Sequence, residues 1–231
     1  MQVGDPIGEG WDIYKRFWRH LLPIAFVVIV IIGLVTLILH GAGAVGAIGA
    51  FIVAIVGLYL VQAALVQAVA DVRDGRADLS LTMTLASVVD QLGSILVASI
   101  LGGIAIGIGL LLLLAPGLYL LTIWSVIIPV IVLEGVGALD SFGRSRELVR
   151  GYGWTVFGVI LITVLINFAV HIVLAIVLSG LNDSISSYLT TVIADTLVTP
   201  FAAAVLTAMY FRLKALHAPP EVASGAAYSD A

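Results

Sequence analysis

The stretch EGVGALDSFGRSRELVRGYGW, residues 134–154, decides how this chain is read, because it is the longest polar break between two apolar runs. It carries three of the ten Lys and Arg residues (Arg144, Arg146 and Arg150), with Glu134, Asp140 and Glu147 among them. The 41 residues before it, Gly93 to Leu133, contain no Asp, Glu, Lys or Arg. The 28 residues after it from Thr155, ending at Asn182, contain none either, and His171 is their one ionisable side chain. A soluble domain has no use for apolar runs of that length, whereas a transmembrane helix needs about 20 predominantly apolar residues.

Composition agrees. Of 231 residues 61% are hydrophobic and 10% charged, with a mean hydropathy of +1.20. A soluble domain carries about a quarter charged residues. The net charge of −4 says little, since placement of charge is what counts in a membrane protein. Cysteine is absent, which removes disulfides, thiol chemistry and Cys-based metal sites. His20, His40, His171 and His217 show no metal-ligand spacing.

Working outward, six spans are expected, at about 21–39, 47–70, 93–114, 118–133, 154–178 and 188–211. Pro116-Gly117 marks a turn, because 41 uncharged residues in one helix would reach about 60 Å, twice the hydrocarbon thickness. Pro129 and Pro200 are expected to kink spans four and six. Gly103 and Gly107 stand in GxxxG spacing, and Ala50, Ala54 and Gly57 put small residues on span two, both suited to close helix approach. The first apolar run is too long for a signal-peptide core and reads as a retained span.

Three short amphipathic helices are expected before the three hairpins, at 7–20, 79–92 and 138–152. The first carries Ile7, Trp11, Tyr14 and Trp18 on one face. It reads either as a helix lying in the membrane interface or as an aromatic flank of span one. The recurrence suggests either a threefold repeat or simply a six-span chain with amphipathic loops. The fold class is therefore all-α: a polytopic membrane protein with one domain over 1–216 and a disordered tail over 217–231.

Orientation follows from charge. Lys15, Arg16, Arg19, Arg73, Arg76, Arg144, Arg146, Arg150, Arg212 and Lys214 all fall on one side of the six-span scheme, and the three opposite loops hold none. Under the positive-inside rule both termini are cytoplasmic.

Two groups of residues are candidate sites. His171 and Asp195 lie at similar depth on adjacent helices, with Asn167 one turn from His171. Pro200 leaves the carbonyl of Thr196 without its helical donor beside Asp195. The group reads either as a proton-titratable or cation-binding site near the outer leaflet, or as a structural interhelical hydrogen bond. The second group lies in the opening stretch. Glu134 ends span four, and Ser141, Arg144, Ser145 and Leu148 share a face of the next helix. Arg144 folded back onto Glu134, with Ser145 beside it, gives a structural clamp, while Arg146 and Arg150 suit lipid headgroups. There is no GxSxG, no P-loop and no paired intramembrane carboxylate, so no catalytic residue, metal site or cofactor is expected, and no nucleic-acid partner.

The segment PGLYLLTIWSVIIPVIVLEGVGALDSFGRSRELVRGYGW, residues 116–154, resembles a bacterial family of six-span membrane proteins. That family is similar to the membrane domain fused to some glycerophosphodiester phosphodiesterases. The matching positions are Pro116, Gly117, Pro129, Glu134, Gly135, Arg144, Ser145, Leu148, Gly151 and Trp154, with Ser141-Phe142 departing from the family's Ala-Leu. The resemblance implies a six-span fold in the bacterial inner membrane. It implies no enzyme activity, since the phosphodiesterase chemistry sits in a separate barrel domain for which this chain has no room. The leading expectation is a non-enzymatic inner-membrane protein that binds membrane lipid, or a partner membrane protein or second copy, through its cytoplasmic amphipathic helices. The alternative is a small transporter working through His171 and Asp195.

Overall fold

The computed structural model describes residues 1–73, 86 and 88–217, and the described chain is helical. The helices are α1 Gly4–His40, α2 Gly43–Val72, α3 Leu92–Leu112, α4 Leu114–Ile123, α5 Ile127–Glu134, α6 Ala138–Val149, α7 Gly153–Val177 and α8 Asp183–Leu216. Among the described residues six segments are long and apolar enough to cross a membrane, with α4 and α5 together forming the fourth. The helix expected over 79–92 falls largely outside the described residues, as does the tail from 218. The threefold repeat therefore loses the leading helix of its middle unit from view.

α8 is the centre of the bundle. α1 packs along it, α2 and α7 flank it, and α5 and α6 close around its C-terminal part. Met209, Tyr210 and Leu213 on α8 are fully buried, in one core cluster with Val130, Leu148 and Val156. A second cluster joins Leu21 and Ile24 of α1 to Leu65 and Val69 of α2 and Ile131 of α5. α7, by contrast, buries only Val156 and Val159 and turns Trp154, Phe168 and Ile176 outward. Water would penalise such a helix, and hydrocarbon does not.

Several local expectations change. The segment 7–20 is not a separate helix. It is the first part of α1, which breaks helical geometry at Phe17 (φ −117°, ψ 17°) and then continues as the first span. Of its aromatic face, Ile7 and Tyr14 pack into the core, and Trp11 and Trp18 are about half exposed. The turn expected at Pro116-Gly117 lies earlier, at Leu113 (φ −159°, ψ 135°). Pro116 falls in the first turn of α4, where a missing N–H costs nothing because that donor has no helical acceptor. Gly103 is exposed and both Gly103 and Gly107 face open space, so the GxxxG pair is not a helix interface here; Gly102 and Gly109 are the buried glycines of α3.

Span four breaks rather than kinks. Trp124–Val126 form a turn between α4 and α5. The cause is Pro129, which cannot donate to the carbonyl of Ser125 and whose ring crowds it. α5 then ends at Gly135, and α6 hands over to α7 at Gly151. Both adopt positive φ (67° and 86°), a left-handed conformation that glycine takes without a Cβ penalty. Those two glycines set α6 as a short cap folded back against the bundle.

Candidate functional site

The end of the bundle that carries the basic residues is held by one carboxylate. Glu134, the last residue of α5, is 13% exposed. Arg144 on α6 donates through Nε to Glu134 Oε2 at 2.9 Å and through a second guanidinium nitrogen to Oε1 at 3.4 Å. Tyr210 on α8 donates its hydroxyl to the same Oε1 at 2.8 Å, and Lys214 Nζ lies 3.3 Å from it. Lys214 also donates to the Tyr210 hydroxyl at 3.2 Å. Arg144 completes its coordination with Glu147 at 2.8 Å. Hydrogen bonds to Glu134 first, and then to Glu147, raise the Arg144 pKa above the ordinary arginine value. The carboxylate thus ties α5, α6 and α8 together.

Ser145 closes the same corner. Its hydroxyl, fully buried, donates to the carbonyl of Ile123 at 2.8 Å. The break ahead of Pro129 frees that acceptor, because the amide of Ile127 bonds to Trp124 instead. An orphaned carbonyl in an apolar setting needs a donor, and α6 supplies one. Ser141, also fully buried, bonds within its own helix to the carbonyl of Ala138. A second ionic cluster sits on another side of α8: Arg212 pairs with Glu9 at 2.7 Å and with Asp5 at 3.7 Å, and Arg73 lies 3.6 Å from Glu9 and 4.0 Å from the Phe211 ring centre.

Arg146 and Arg150 are different. Arg146 on α6 and Arg150 just after its end are both exposed, and among the described residues neither side chain makes an ion pair or hydrogen bond.

Toward the opposite end, His171 Nε2 lies 3.4 Å from Asp195 Oδ1, so α7 and α8 bring the two together as their depths suggested. Asn167 joins through its backbone, since its carbonyl stands 3.1 Å from His171 Nδ1. Asp195 also lines a cleft of about 780 Å³ between α1, α2 and α8. Thr196 Oγ1, next to Asp195, is buried without a hydrogen-bond partner.

Tyr210 and Lys214 were not among the expected site residues, and neither were Glu9, Arg73 and Arg212. The available signal was the i, i+4 spacing of Tyr210 and Lys214 at the basic end of span six, the same end as Glu134.

Fold and site together define a protein whose described residues are helical, with six segments long and apolar enough to cross a membrane, pinned at one end by a half-buried carboxylate cluster. By family the chain belongs to DUF7847, a domain of unknown function, whose family model matches residues 76–213. That range contains Glu134, Arg144, Ser145, Tyr210, His171 and Asp195, and leaves out α1 and α2. No curated protein and no solved structure matches the chain.

Proposed function

We propose that this is a non-enzymatic integral protein of the bacterial cytoplasmic membrane, both termini inside, that binds anionic phospholipid through α6. One observation carries the reading: Arg146 and Arg150 are exposed and have no partner among the described residues, while their neighbour Arg144 pairs with Glu134 and Glu147. A basic side chain near an anionic leaflet gains about 1 kcal/mol from it. The clamp on Glu134 holds α6 in place, so the two free arginines stay on one outward face. α6, and the part of α1 before Phe17 with its half-exposed Trp11, would lie at the membrane interface. The sequence resemblance to the phosphodiesterase-fused membrane domain contributes topology alone, and no phosphodiester chemistry is proposed. Native mass spectrometry of the gently solubilised protein tests the reading. A retained anionic phospholipid, lost in Arg146→Ala/Arg150→Ala, is the expected result. Equal retention by that variant refutes lipid binding here, and a retained protein instead of a lipid favours a partner protein or second copy on the same face.

The cleft that reaches Asp195 favours a second reading, a small transporter working through the His171–Asp195 pair. Proton uptake into vesicles, abolished by Asp195→Asn, is its test.

A further inference from the structure

We propose that the cleft between α1, α2 and α8 is a binding site for an amphiphilic organic cation, which takes the place of a single proton held between His171 and Asp195. The proposal rests on the transport reading and names the class of ligand.

The proton count comes from the hydrogen bonds. A carbonyl oxygen only accepts, so the 3.1 Å contact between His171 Nδ1 and the carbonyl of Asn167 puts a hydrogen on Nδ1. The other nitrogen, Nε2, faces Asp195 Oδ1 at 3.4 Å. One further proton fits between them. Whether it sits on the imidazole or on the carboxyl, the pair is neutral. Without it the pair, about a third exposed, carries one negative charge on a helix face that the transport reading sets in the membrane, where an uncompensated charge is costly. The site therefore holds one positive charge, and a proton or a monovalent cation can supply it.

The cleft selects which cation. Its volume of about 780 Å³ is that of a small-molecule pocket, typically about 300–1,000 Å³. Along α8, Ser187, Thr191, Asp195 and Thr199 repeat every fourth residue and line one wall. The facing walls are mainly apolar: Ile29 and Ile32 from α1, Leu58 and Val61 from α2, with the Thr36 hydroxyl the polar group on α1. Among the described side chains, α1 and α2 bring no ionisable group into the cleft; Asp195 is faced by His171 from α7, and Tyr188 is the other described ionisable side chain on its own wall. A hard divalent cation takes about six or more oxygen ligands and favours carboxylates and carbonyls, whereas the described lining offers one carboxylate and otherwise neutral hydroxyls. An organic cation with an apolar body fits: charge at Asp195, hydrocarbon against α1 and α2.

The test uses the full chain in mild detergent and tetraphenylphosphonium as probe, a quaternary cation whose own charge does not change with pH. Calorimetric titration should show saturable 1:1 binding with release of one proton. On the acid side affinity should fall tenfold per pH unit, since one proton competes with one cation. Asp195→Asn should weaken binding at least tenfold. Val61→Trp, which keeps the carboxylate and narrows the cleft from its α2 wall, should weaken it as well, and both variants are checked for monodispersity and thermal unfolding. Unchanged affinity in a folded Asp195→Asn, pH-independent affinity, or equal binding of the neutral triphenylphosphine oxide overturns the proposal. Asp195-dependent proton uptake in vesicles without phosphonium binding would overturn the ligand class and leave the transport reading standing. Loss of Asp195 dependence in both assays removes both.

Discussion

Replacing Glu134 by Gln keeps the shape of the side chain and removes its charge. In the native arrangement the two carboxylate oxygens serve Arg144, Tyr210 and Lys214. A glutamine offers one acceptor oxygen, and its amide nitrogen must face another donor. At least one charge-assisted hydrogen bond is therefore lost. Such bonds contribute about 1.5–3 kcal/mol. Arg144 and Lys214 are 32% and 48% exposed, so water recovers part of that, and about 2 kcal/mol is the expected net cost. Glu147→Gln is the internal control. It touches the same arginine at 2.8 Å, but its side chain is 64% exposed and lies one turn away on the same helix. Its expected cost is about 0.5 kcal/mol or less. Tyr210→Phe keeps the ring in its buried place and removes one donor, at about 1 kcal/mol. The assay is reversible unfolding in mixed detergent, followed by helicity, on the three single variants and the Glu134→Gln/Tyr210→Phe double. A coupling of about 1 kcal/mol in that cycle is expected, because the two groups share a hydrogen bond. If Glu134→Gln unfolds like Glu147→Gln, the carboxylate does not tie α5, α6 and α8 together and the reasoning fails.

Four further expectations follow from single positions. Ser145→Ala leaves the Ile123 carbonyl without its donor and should cost about 1 kcal/mol in the same unfolding assay. Gly10→Ala should destabilise the bundle, since a Cβ there would stand 2.8 Å from the backbone of Val205, and α1 and α8 would have to separate; Gly103→Ala, with nothing within 4 Å, should be silent. Arg146→Ala/Arg150→Ala should unfold within about 0.5 kcal/mol of wild type, as exposed unpaired side chains do, so any change in lipid retention is not a folding defect. In a chain without cysteine, single substitutions Ser179→Cys and Glu147→Cys report sidedness cleanly: an impermeant maleimide added to intact cells should label only the first, and the reverse pattern would invert the proposed topology.

The six long apolar segments were legible because charge is segregated. No Asp, Glu, Lys or Arg lies between Gly93 and Leu133, and such a run has one physical reading. Glu134 and Arg144 were also legible, being ten residues apart with three glycines between them, of which Gly135 turns the chain. Tyr210 was not. It stands 76 residues from Glu134, and its relation to that carboxylate depends on span six lying beside span four, which nothing local encodes. Pro129 was read correctly as a disturbance and misplaced as a kink. The effect of a proline falls on the carbonyl four residues earlier, so the chain turns at Trp124–Val126.

Helix faces were the harder matter, and the reason is the solvent. In water an apolar face points inward, so hydropathy predicts burial. In hydrocarbon it does not, because a lipid tail is as apolar as a leucine. The structure has the burial pattern that a hydrocarbon surrounding would permit. α7 carries no charged residue, and only 11% of its apolar window is buried; α8 carries Asp195, Arg212 and Lys214, and 61% of its window is buried. The polar groups mark the central helix because they need partners, and in lipid only protein can supply them. Glycine spacing fails as a guide for the same reason. Gly103 and Gly107 have the right interval and face open space, whereas Gly10, outside any motif, meets the backbone of Val205. What locates a helix at the core of such a bundle is therefore the distribution of unsatisfied polarity: Glu134 waiting for donors at one end, Asp195 at the other, and one helix long enough to serve both.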